Sequence, residues 1–590
     1  MTIFATIEGV IYQHLEAMKA AGDLPAELDF SAISLEIPTD PKHGDIATNA
    51  AMVLAKIAKQ NPRALAEKLA EKLAQEAVIE KIEIAGPGFI NLTLQADIWR
   101  AELPYILKAG TEYGICEIGK GQKVNVEYVS ANPTGPLHVG HARGAVFGDA
   151  LANLLERAGY EVTREYYIND AGKQVNELAH SILVSTQDAL GMKLSSKLDE
   201  QYAGDYLKPI STALVEKHGT GLFEQTDAEQ VQAAIDIALP IFMTQIKEDL
   251  AALGVKHNVF SSEKNLHDKD MIMEAIKPLE AKGLVYEGIL DPPKDETHKQ
   301  DETQTQDNGL QLIFKSSQFG DDSDRVLQRA GGEWTYFAAD IAYHWDKIQR
   351  GFTELINVWG SDHIGYIKRL KSAVAALTDD KVQLDIKICQ LVHFMRNKEK
   401  VKMSKRSGNF VTLRQVVDEV GKDVVRFIML TRKNDAHLDF DFAAVVEKTR
   451  DNPVFYVQYA HARICSVLRQ APTMASISKA ELSDSALAKA DLALLKAPAE
   501  LALIRRLAAF PRVVERAAIT HEPHRIAFFL SAVAADFHHL WQAGKLDEEL
   551  KFVQKDNKNV SLARLALIRA TAIILVCGFD ILGVTPQETL

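Results

Sequence analysis

The chain has 590 residues, a length that predicts about three or four domains instead of a single core. The composition, 47% hydrophobic and 25% charged, is typical of a globular protein and excludes wholesale disorder. The net charge of −13 argues against a protein that coats nucleic acid through bulk positive charge. A few well-placed Lys and Arg side chains can still bind phosphates in such a chain.

The four cysteines do not have the spacing of a zinc site and are too few for a disulfide framework. We therefore expect no metal ion held by the protein, and a reducing compartment, the cytoplasm. The N-terminus has acidic residues and no long apolar run, so we expect no signal peptide. The most apolar stretch, residues 570–579, has about half the length of a membrane span and predicts a buried helix, so we expect no membrane association.

Residues 1–112 are predicted to form a small α+β domain. A strongly helical segment, RALAEKLAEKLAQEA, follows Asn61 and Pro62, and an asparagine at that position can cap the helix. The alternating run IEKIEIAG and the apolar run FINLTL lie on either side of a Gly-Pro-Gly break. This pattern predicts two strands joined by a turn.

Residues 113–441 are predicted to form an α/β domain. The strand-like runs VNVEYVS, LINVWG and IKICQLV alternate with helical segments, which predicts a parallel sheet with helices on its faces. Residues from about 174 to 275 predict a helical insertion, and the polar residues 291–309 predict a surface loop. Residues 442–590 have apolar positions at helical spacing and predict a separate all-α domain.

The first chemical motif is the segment EYVSANPTGPLHVGHARGAVFG. A strand leads into a loop with Pro133 and Gly135, which lets the backbone approach a ligand, and a helix follows from about His138. The helix N-terminus favours phosphate, and His138 and His141 share one face of its first turn, where both can donate to phosphate oxygens. Gly140 between them leaves room for a flat base. Taken alone, the pattern could also be a capped helix with two ordinary histidines.

The second motif is KMSKRSG, in which Lys402, Lys405 and Arg406 lie close together. A loop with two lysines can close over a triphosphate and stabilise the charge of leaving pyrophosphate. Most basic runs are solvated loops, and for this motif on its own that alternative stays open.

Polar residues further along the chain lie where a pocket could form. Tyr336 and Asp340 are four residues apart and share one face if their segment is helical, although they could equally form a pair on a helix surface. Asp362 follows an apolar strand, and open parallel sheets bind ligands at the carboxyl ends of their strands.

The C-terminal helices contain residue types that suit RNA. Tyr456 and Tyr459 could stack on unpaired bases, the usual way in which single-stranded RNA loops are recognised. Each residue taken singly is more often an ordinary surface or core position, so the prediction concerns the set. The arginines that offer phosphate contacts are Arg450, Arg463, Arg469, Arg505, Arg506, Arg512 and Arg516.

The two motifs together resemble the signature pair of class I aminoacyl-tRNA synthetases, with Val139 in place of the common isoleucine and Arg406 in the fifth place of the lysine loop. The resemblance implies a Rossmann-type sheet and the use of ATP with Mg²⁺ as a substrate complex, without a tightly bound cofactor. It implies that an amino-acid carboxylate attacks the α-phosphate, that pyrophosphate leaves, and that the aminoacyl group passes to tRNA.

Further segments resemble arginyl-tRNA synthetases in the same order, including YFAADIAYHWDK, VWGSDHIGYIKRLK and LDFDFAAVVEKTRDNPVFYVQYAHARICSVLR. The resemblance implies L-arginine and tRNA(Arg) as substrates and a monomeric protein. It also implies that residues 1–112 are an add-on domain at the outer corner of the tRNA and that residues 442–590 bind the anticodon. The DALR segment that names the latter domain reads Asp423-Val424-Val425-Arg426 here, which keeps the pattern.

Carried over onto this sequence, the resemblance assigns catalytic, ATP-binding and arginine-binding residues, and the chemistry of the C-terminal helices adds the candidate tRNA-binding residues. The catalytic residues are His138, His141, Lys402 and Lys405, and the ATP-binding residues are Pro133, Gly135, His138, Gly140, His141, Met403, Ser404 and Lys405. The arginine-binding residues are Glu127 and Asp340 at the guanidinium, Asn132 at the amino-acid backbone, Tyr336 as a wall of the pocket, and Asp362, where family members vary. The tRNA-binding residues are Tyr456, Tyr459 and Arg463.

Three alternatives compete with this interpretation. Among other class I synthetases, the cysteinyl and methionyl enzymes usually rely on cysteine-bound zinc, the isoleucyl, leucyl and valyl enzymes are much longer, and the glutamyl and glutaminyl enzymes need a pocket without Glu127 and Asp340. A small-molecule nucleotidylyltransferase shares the histidine motif but is far shorter and lacks the helical tail. A catalytically inactive RNA-binding paralogue should have lost histidines or lysines from the motifs, and here all of them are present.

Overall fold

The computed structural model describes residues 3–38, 40–192, 202–268, 270–290, 309–401 and 411–590. The polar loop expected at residues 291–309 lies outside these residues, except for its last position. The second motif also lies outside them, including Lys402, Met403, Ser404 and Lys405.

The N-terminal part combines helices with one antiparallel sheet. Its elements are α1 (Ile3–Ala20), β1 (Leu35–Glu36), β2 (Ile46–Thr48), α2 (Ala50–Ala58), α3 (Pro62–Leu73), β3 (Ile79–Ala85), β4 (Phe89–Leu94), α4 (Ala96–Arg100) and α5 (Glu102–Ala109). The strand order is β1-β2-β4-β3. The predicted cap of α3 is confirmed, because the Asn61 side chain accepts hydrogen bonds from the backbone nitrogens of Arg63 and Ala64 at 2.9 and 3.2 Å.

The central part is built on a five-stranded parallel sheet, as the alternating pattern predicts. Its elements are β5 (Lys123–Glu127), α6 (Ala142–Arg157), β6 (Glu161–Ile168), α7 (Lys173–Ala189), α8 (Lys208–His218), α9 (Asp227–Ala252), β7 (Val259–Ser262), α10 (Glu263–Asp268), α11 (Met271–Ala281), β8 (Val285–Gly288), β9 (Gln311–Phe314), β10 (Arg325–Gln328), α12 (Tyr336–Gln349), β11 (Glu354–Gly360), α13 (Ile367–Thr378) and β12 (Gln383–Cys389). The parallel sheet has the order β12-β11-β5-β6-β7, and β8 to β10 form a small antiparallel sheet.

The strand order of the parallel sheet reverses next to β5. From β5 the chain passes through α6 to β6 and later to β7 on one side, whereas β11 and β12 lie on the other side. Ligands of open parallel sheets bind at such a reversal, outside the carboxyl ends of the strands. The predicted insertion at residues 174–275 is correct only for α7 to α9, because β7 joins the main sheet beside β6.

A second small sheet and the helices after it complete the chain. The elements are β13 (Val392–Arg396), β14 (Glu399–Lys400), α14 (Leu413–Val420), α15 (Lys422–Met429), β15 (Leu438–Asp441), α16 (Pro453–Ala475), α17 (Asp484–Leu487), α18 (Pro498–Ala508), α19 (Phe510–Thr520), α20 (His524–Leu546) and α21 (Lys558–Leu582). The strand β13 lies between β14 and β15, antiparallel to the first and parallel to the second. The predicted domain limits at residues 112 and 441 fall between elements and stay predictions.

The helix α21 contains the most apolar stretch of the chain. It is long and apolar enough to cross a membrane, but 83% of its most apolar window is buried inside the protein. It packs against α16 and α20 and also against α5 and α6, which come much earlier in the chain. The expectation of a buried helix at residues 570–579 is therefore confirmed.

Candidate active site

Two neighbouring strands, β5 and β11, end where the strand order reverses. Glu127 is the last residue of β5 and pairs in register with Asn357 of β11. Directly after it, Val129 and Ser130 have φ angles of 72° and 38°. Such values cost a non-glycine residue on the order of 1–3 kcal/mol and cluster at functional sites. The strained turn marks this edge of the sheet as the candidate site.

The histidine motif follows this turn. Val139–His141 form a single 3₁₀ turn, and α6 begins at Ala142. The rings of His138 and His141 stack, with centroids 3.8 Å apart and planes inclined by 20°. Both imidazoles therefore lie together at the N-terminal end of α6, where backbone N–H groups and the helix dipole favour an anion.

Glycine residues make this loop possible. A Cβ on Gly140 would lie 2.7 Å from Cε1 of His138, so only glycine accepts the ring there. Gly140 itself is exposed, and the room for a flat base that the sequence predicts beside it stays a prediction. Pro133 and Gly135 in the preceding loop are buried. Gly135 has a φ of +150°, which favours glycine, and it faces the ring of Tyr206, so a larger residue would be strained and crowded there.

The chain that follows the second motif returns to the histidine loop. The backbone N–H of Val139 donates to the carbonyl of Val411 at 3.0 Å, and that of Leu413 donates to the carbonyl of Leu137 at 2.8 Å. These bonds join residues directly after the lysine loop to residues within and directly before the HVGH segment. The residues that follow the second motif in sequence therefore lie beside the histidine motif at this edge of the sheet.

Two carboxyl groups, Asp340 on α12 and Glu263 at the start of α10, form an acidic pocket on the same edge. The Tyr366 hydroxyl donates to Oδ2 of Asp340 at 2.5 Å. Burial, together with the charges of Asp340 and Asp170, raises the pKa of Glu263 to about 8. Burial likewise raises the pKa of Asp340 to about 7, with a contribution from Glu127. Carboxyls in this state gain more than ordinary ones from a bound cation.

The surroundings of Glu263 hold it in place. With its amide oriented to satisfy both neighbours, Asn169 donates to Oε2 of Glu263 at 2.6 Å. Asp170 accepts hydrogen bonds from the Ser262 hydroxyl at 2.7 Å and from the backbone N–H of Lys264 at 2.9 Å. These bonds fix the turn from β7 into α10, and with it the direction of the Glu263 side chain.

Glu127 has a different environment from Asp340. Its Oε2 accepts a hydrogen bond from the buried Lys347 ammonium at 2.6 Å, and its Oε1 accepts one from the Ser130 hydroxyl at 3.1 Å. The charge of Glu127 is therefore balanced inside the protein. Both Glu127 and Glu263 interact electrostatically with Asp340, but only Glu127 is paired with a buried cation. The predicted role of Glu127 at the guanidinium stays a prediction.

Sequence reasoning did not find Glu263. The residue directly follows the strand VFSS, and a carboxylate after a strand is the signal that was used for Asp362. Without the sheet order, nothing in the sequence shows that β7 belongs to the same sheet as β5 and β11, so the helical insertion appeared to continue through it.

The other predicted arginine-binding residues lie around the same edge. Asn132 donates through its amide nitrogen to Oε1 of Gln174 at 2.5 Å. Tyr336 is the first residue of α12, is 56% exposed, and places its hydroxyl against Gly172. The side chain of Asp362, beyond β11, is 68% exposed. These three polar groups are therefore more accessible to a ligand than the buried carboxylate of Glu127.

The predicted tRNA-binding residues lie together on α16 and face α20. The Arg463 guanidinium lies 4.2 Å from the ring centroid of Tyr459 and 4.5 Å from that of Trp541. Tyr456 contacts His538, with ring centroids 4.5 Å apart. A guanidinium between two aromatic rings combines charge with stacking surfaces. Sequence reasoning missed Trp541 and His538, because they come from a later helix.

Four of the arginines expected to contact phosphate are paired with carboxylates instead. Arg505 contacts Asp45 at 2.9 Å and Arg516 contacts Glu36 at 3.7 Å, which joins the C-terminal helices to the N-terminal part. Surface ion pairs are weak, so these contacts do not exclude RNA, and the expectation for the set stays a prediction. The other two pairs are Arg506 with Asp536 at 2.6 Å and Arg512 with Glu515 at 2.7 Å.

The Asp-Val-Val-Arg segment joins three regions. Asp423 accepts a hydrogen bond from the backbone N–H of Thr585 at 3.0 Å, and Arg426 donates to the carbonyl of Leu582 at 2.7 Å. Arg426 also donates to Asp149 of α6 at 2.5 Å. The end of α21 is therefore attached to the helix that follows the histidines.

Comparison with protein families agrees with this arrangement. The family described as tRNA synthetases class I (R), catalytic domain, matches residues 102–465. Together with the parallel sheet and the histidine loop, this match defines a class I aminoacyl-tRNA synthetase. The arginyl tRNA synthetase N terminal domain matches residues 5–94, and the DALR anticodon binding domain matches residues 457–590.

Whole-length relatives are more specific. The arginine–tRNA ligases of Parvibaculum lavamentivorans and Ruegeria pomeroyi are each 54% identical over 590 residues, which covers 100% of this chain and 100% of theirs. The arginyl-tRNA synthetase structure from Thermus thermophilus covers 100% of both chains with a TM-score of 0.68, and at 20% identity it supports the fold alone. The chain belongs to the arginyl-tRNA synthetase family, and the predicted fold class is confirmed.

Proposed function

We propose that the acidic pocket of Asp340 and Glu263 binds the guanidinium of L-arginine. Membership of the family gives the chain its reaction, the ATP-dependent ligation of arginine to tRNA(Arg). The observation that carries the proposal is the pair of carboxyls whose pKa values are raised to about 7 and about 8. A guanidinium is always charged and planar, so it supplies the positive charge that this pocket favours and can bond to two carboxylates at once.

The remaining polar residues orient the bound arginine. Asn132, in the loop after β5, binds the amino-acid backbone, and the exposed ring of Tyr336 forms a wall of the pocket. Asp362 lies on the rim. Glu127 acts through the turn that it holds with Ser130, because Lys347 already neutralises its charge.

Activation takes place beside the histidines. A carboxylate oxygen of arginine forms a bond to the α-phosphorus of ATP, and the bond from that phosphorus to the oxygen bridging the β-phosphate breaks. His138 and His141 donate to the phosphate oxygens as negative charge increases. Pro133, Gly135 and Gly140 shape the loop that receives the nucleotide.

The lysine motif, outside the described residues, completes the nucleotide site in this proposal. Lys402 and Lys405 stabilise the leaving pyrophosphate, and Met403 and Ser404 contribute to ATP binding. Mg²⁺ enters with ATP as part of the substrate complex. In the second step, a hydroxyl of the terminal ribose of tRNA attacks the carbonyl carbon of the adenylate, and AMP leaves.

The C-terminal helices recognise the anticodon in this proposal. Tyr456 and Tyr459 provide ring faces for unpaired bases, and Arg463 supplies positive charge between rings. Residues 442–590 form this domain, residues 113–441 the catalytic domain, and residues 1–112 contact the outer corner of the tRNA. We further propose that the protein acts as a monomer in the cytoplasm.

The acidic pocket is tested by Asp340→Asn and Glu263→Gln. Each change removes a charged partner worth about 1.5–3 kcal/mol, so the KM for arginine should rise about 10- to 150-fold. Glu274→Gln, an exposed carboxylate on the neighbouring α11, is the matched control and should leave that KM unchanged. Aminoacylation of tRNA with labelled arginine measures the effect, and an unaltered KM in both pocket variants would show that the pocket is misassigned.

The role of the histidines is tested separately by His141→Ala. Arginine-dependent exchange of pyrophosphate into ATP, with tRNA present, should fall strongly because the group that faces the reacting phosphate is lost. Binding of tRNA should stay close to that of the parent protein. Full exchange activity in this variant would remove His141 from the mechanism.

A further inference from the structure

Arg143 is a buried cation two residues after His141. It lies in the first turn of α6, and only 2% of its surface is exposed. Its Nη1 donates to the carbonyls of Gln390 at 3.0 Å and Ala436 at 2.6 Å, and its Nη2 donates to the carbonyl of Lys433 at 2.8 Å. Each of these hydrogen bonds goes to a main-chain oxygen, so the guanidinium fixes backbone positions.

The three acceptors lie at the base of two paired strands. Gln390 lies in the short connection between β12 and β13, and Lys433 and Ala436 lie in the segment that leads from α15 to β15, which pairs with β13 in parallel. Asn434 connects the segment before β15 with the segment before β13. Its carbonyl accepts from the N–H of Gln390 at 2.8 Å, and its side-chain amide donates to the carbonyl of Ile388 at 2.8 Å. Asn434 thus ties together the segments that lead into β13 and β15, and Arg143 contacts both of these segments at once.

The same sheet and the segment beyond it are attached to the histidine loop a second time. The hydrogen bonds from Val139 to Val411 and from Leu413 to Leu137 involve the residues that follow 402–410 in the sequence. Directly before residue 402 in the sequence, the N–H of Val401 donates to the carbonyl of Phe394 in β13 at 2.9 Å. Both described flanks of the lysine motif are thus connected to the HVGH segment, one directly and one through β13 and Arg143.

We infer that Arg143 is a positioning residue for amino-acid activation, which holds His138 and His141 at a fixed place relative to the β13–β15 sheet. The inference rests on the proposed role of the two histidines. A planar fork with several N–H donors reaches three carbonyls at once, whereas a lysine ammonium on a flexible stem does not hold them in one plane. Among the described residues Arg143 forms no ion pair with a carboxylate, although the charge of Asp435 acts on it, and its guanidinium is held by main-chain carbonyls. Burial of such a cation is costly, so its specific geometry is the more informative property.

The inference is tested by Arg143→Met and Arg143→Lys in the full chain. Displacement of catalytic groups by about 1 Å costs about 100-fold in rate, so kcat for arginine activation should fall by about that factor in R143M. In R143K the fall should be smaller. The KM for arginine should stay unchanged in both, because Arg143 does not contact the acidic pocket.

Arg157→Met is the matched control. Arg157 lies at the other end of α6 and also donates to main-chain carbonyls, those of Thr111 at 2.8 Å and Tyr113 at 2.5 Å. Its loss should lower the melting temperature but leave kcat close to that of the parent protein. A merely structural role of Arg143 would make R143M behave like R157M, and that result would overturn the inference.

Chemical rescue separates positioning from folding. Arg143→Ala leaves a cavity beside three carbonyls, and added guanidinium at low-millimolar concentration should raise its kcat several-fold. In the parent protein the same ion should only compete with arginine. Absence of rescue in a folded R143A protein would contradict the inference.

If the Arg143 variants fail to fold, the Asn434→Ala variant tests the inference in their place. It loosens the base of the two strands without removing a charge, and it should lower kcat while the KM for arginine is retained. Parent-like kcat in N434A would overturn the inference. The His141→Ala variant keeps the two proposals apart: loss of activity in H141A with full activity in R143M contradicts only the role of Arg143.

Discussion

At the candidate pocket, Glu127 is paired with Lys347, whereas burial and, to a smaller extent, nearby carboxylates raise the pKa values of Glu263 and Asp340. The C-terminal helices show the same division. Arg505 is paired with Asp45, whereas Arg463 lies between two aromatic rings. Residue type marks all of these positions as candidates for ligand binding, and the partners that the fold supplies decide which charges are left for a ligand.

The largest expected effect comes from breaking the neutralised pair. Glu127→Gln leaves the fully buried Lys347 ammonium without its partner, which costs about 3–5 kcal/mol of stability. Urea unfolding should show a clear fall in the midpoint. The double variant Glu127→Gln with Lys347→Met should recover most of the loss, because both charges are gone. An unchanged midpoint in the single variant would mean that Glu127 is not neutralised in this way.

The next effect concerns pH. Arginine binds to ionised carboxylates, and the pKa values of Asp340 and Glu263 in the empty pocket are raised to about 7 and about 8. The KM for arginine should therefore rise as the pH falls through these values, by about tenfold per pH unit for each proton that must leave. Steady-state aminoacylation across this range measures it, and a KM independent of pH would contradict the account.

The same shifts predict how stability depends on pH. Both carboxyls have folded-state pKa values above the ordinary 3.8 of Asp and 4.5 of Glu, so their protonated forms favour the folded state. This contribution to stability is present at low pH and is lost as the pH rises to about 8. Arginine should offset the loss, so it should raise the melting temperature more at pH 8 than at pH 6. Asp340→Asn should reduce that difference.

A smaller effect is expected at the C-terminal helices. Arg463→Met removes a guanidinium that lies beside two rings and could add a cation–π contact to a bound base, worth about 0.5–2 kcal/mol, so the Kd for tRNA(Arg) should rise about 2- to 30-fold. Filter binding or fluorescence titration measures it, and the KM for arginine should not change. Equal affinity of the variant and the parent protein for tRNA would remove Arg463 from the interface.

The smallest effect is expected for Arg505→Met. Arg505 is partly exposed and already paired with Asp45, so the change should cost at most about 1 kcal/mol of stability. The Kd for tRNA should change less than in R463M. A larger loss of tRNA affinity in R505M than in R463M would reverse the comparison between the two arginines.

Much of the architecture was predictable because it depends on local patterns. The cap at Asn61, the parallel sheet and the buried C-terminal helix follow from spacing, hydrophobic periodicity and resemblance. The histidine pair was predictable for the same reason, since residues three apart in a helical turn face the same side.

The rest depends on contacts between distant parts of the chain. Glu263 joins the pocket only because β7 adds to the sheet beside β6, and Trp541 reaches Arg463 only through the packing of α20 on α16. The neutralisation of Glu127 required knowledge that Lys347 points into the core. The positive φ of Val129 has no sequence signal, because a β-branched residue normally avoids it.

The central claim is that arginine binds to carboxyls that hold protons in the empty pocket. Isothermal titration of the protein with arginine at pH 7, in buffers with different ionisation enthalpies, tests it directly. The account predicts a net release of protons on binding, reduced in Asp340→Asn and Glu263→Gln and unchanged in the Glu274→Gln control. Binding without proton release in the parent protein would contradict the assignment of this pocket.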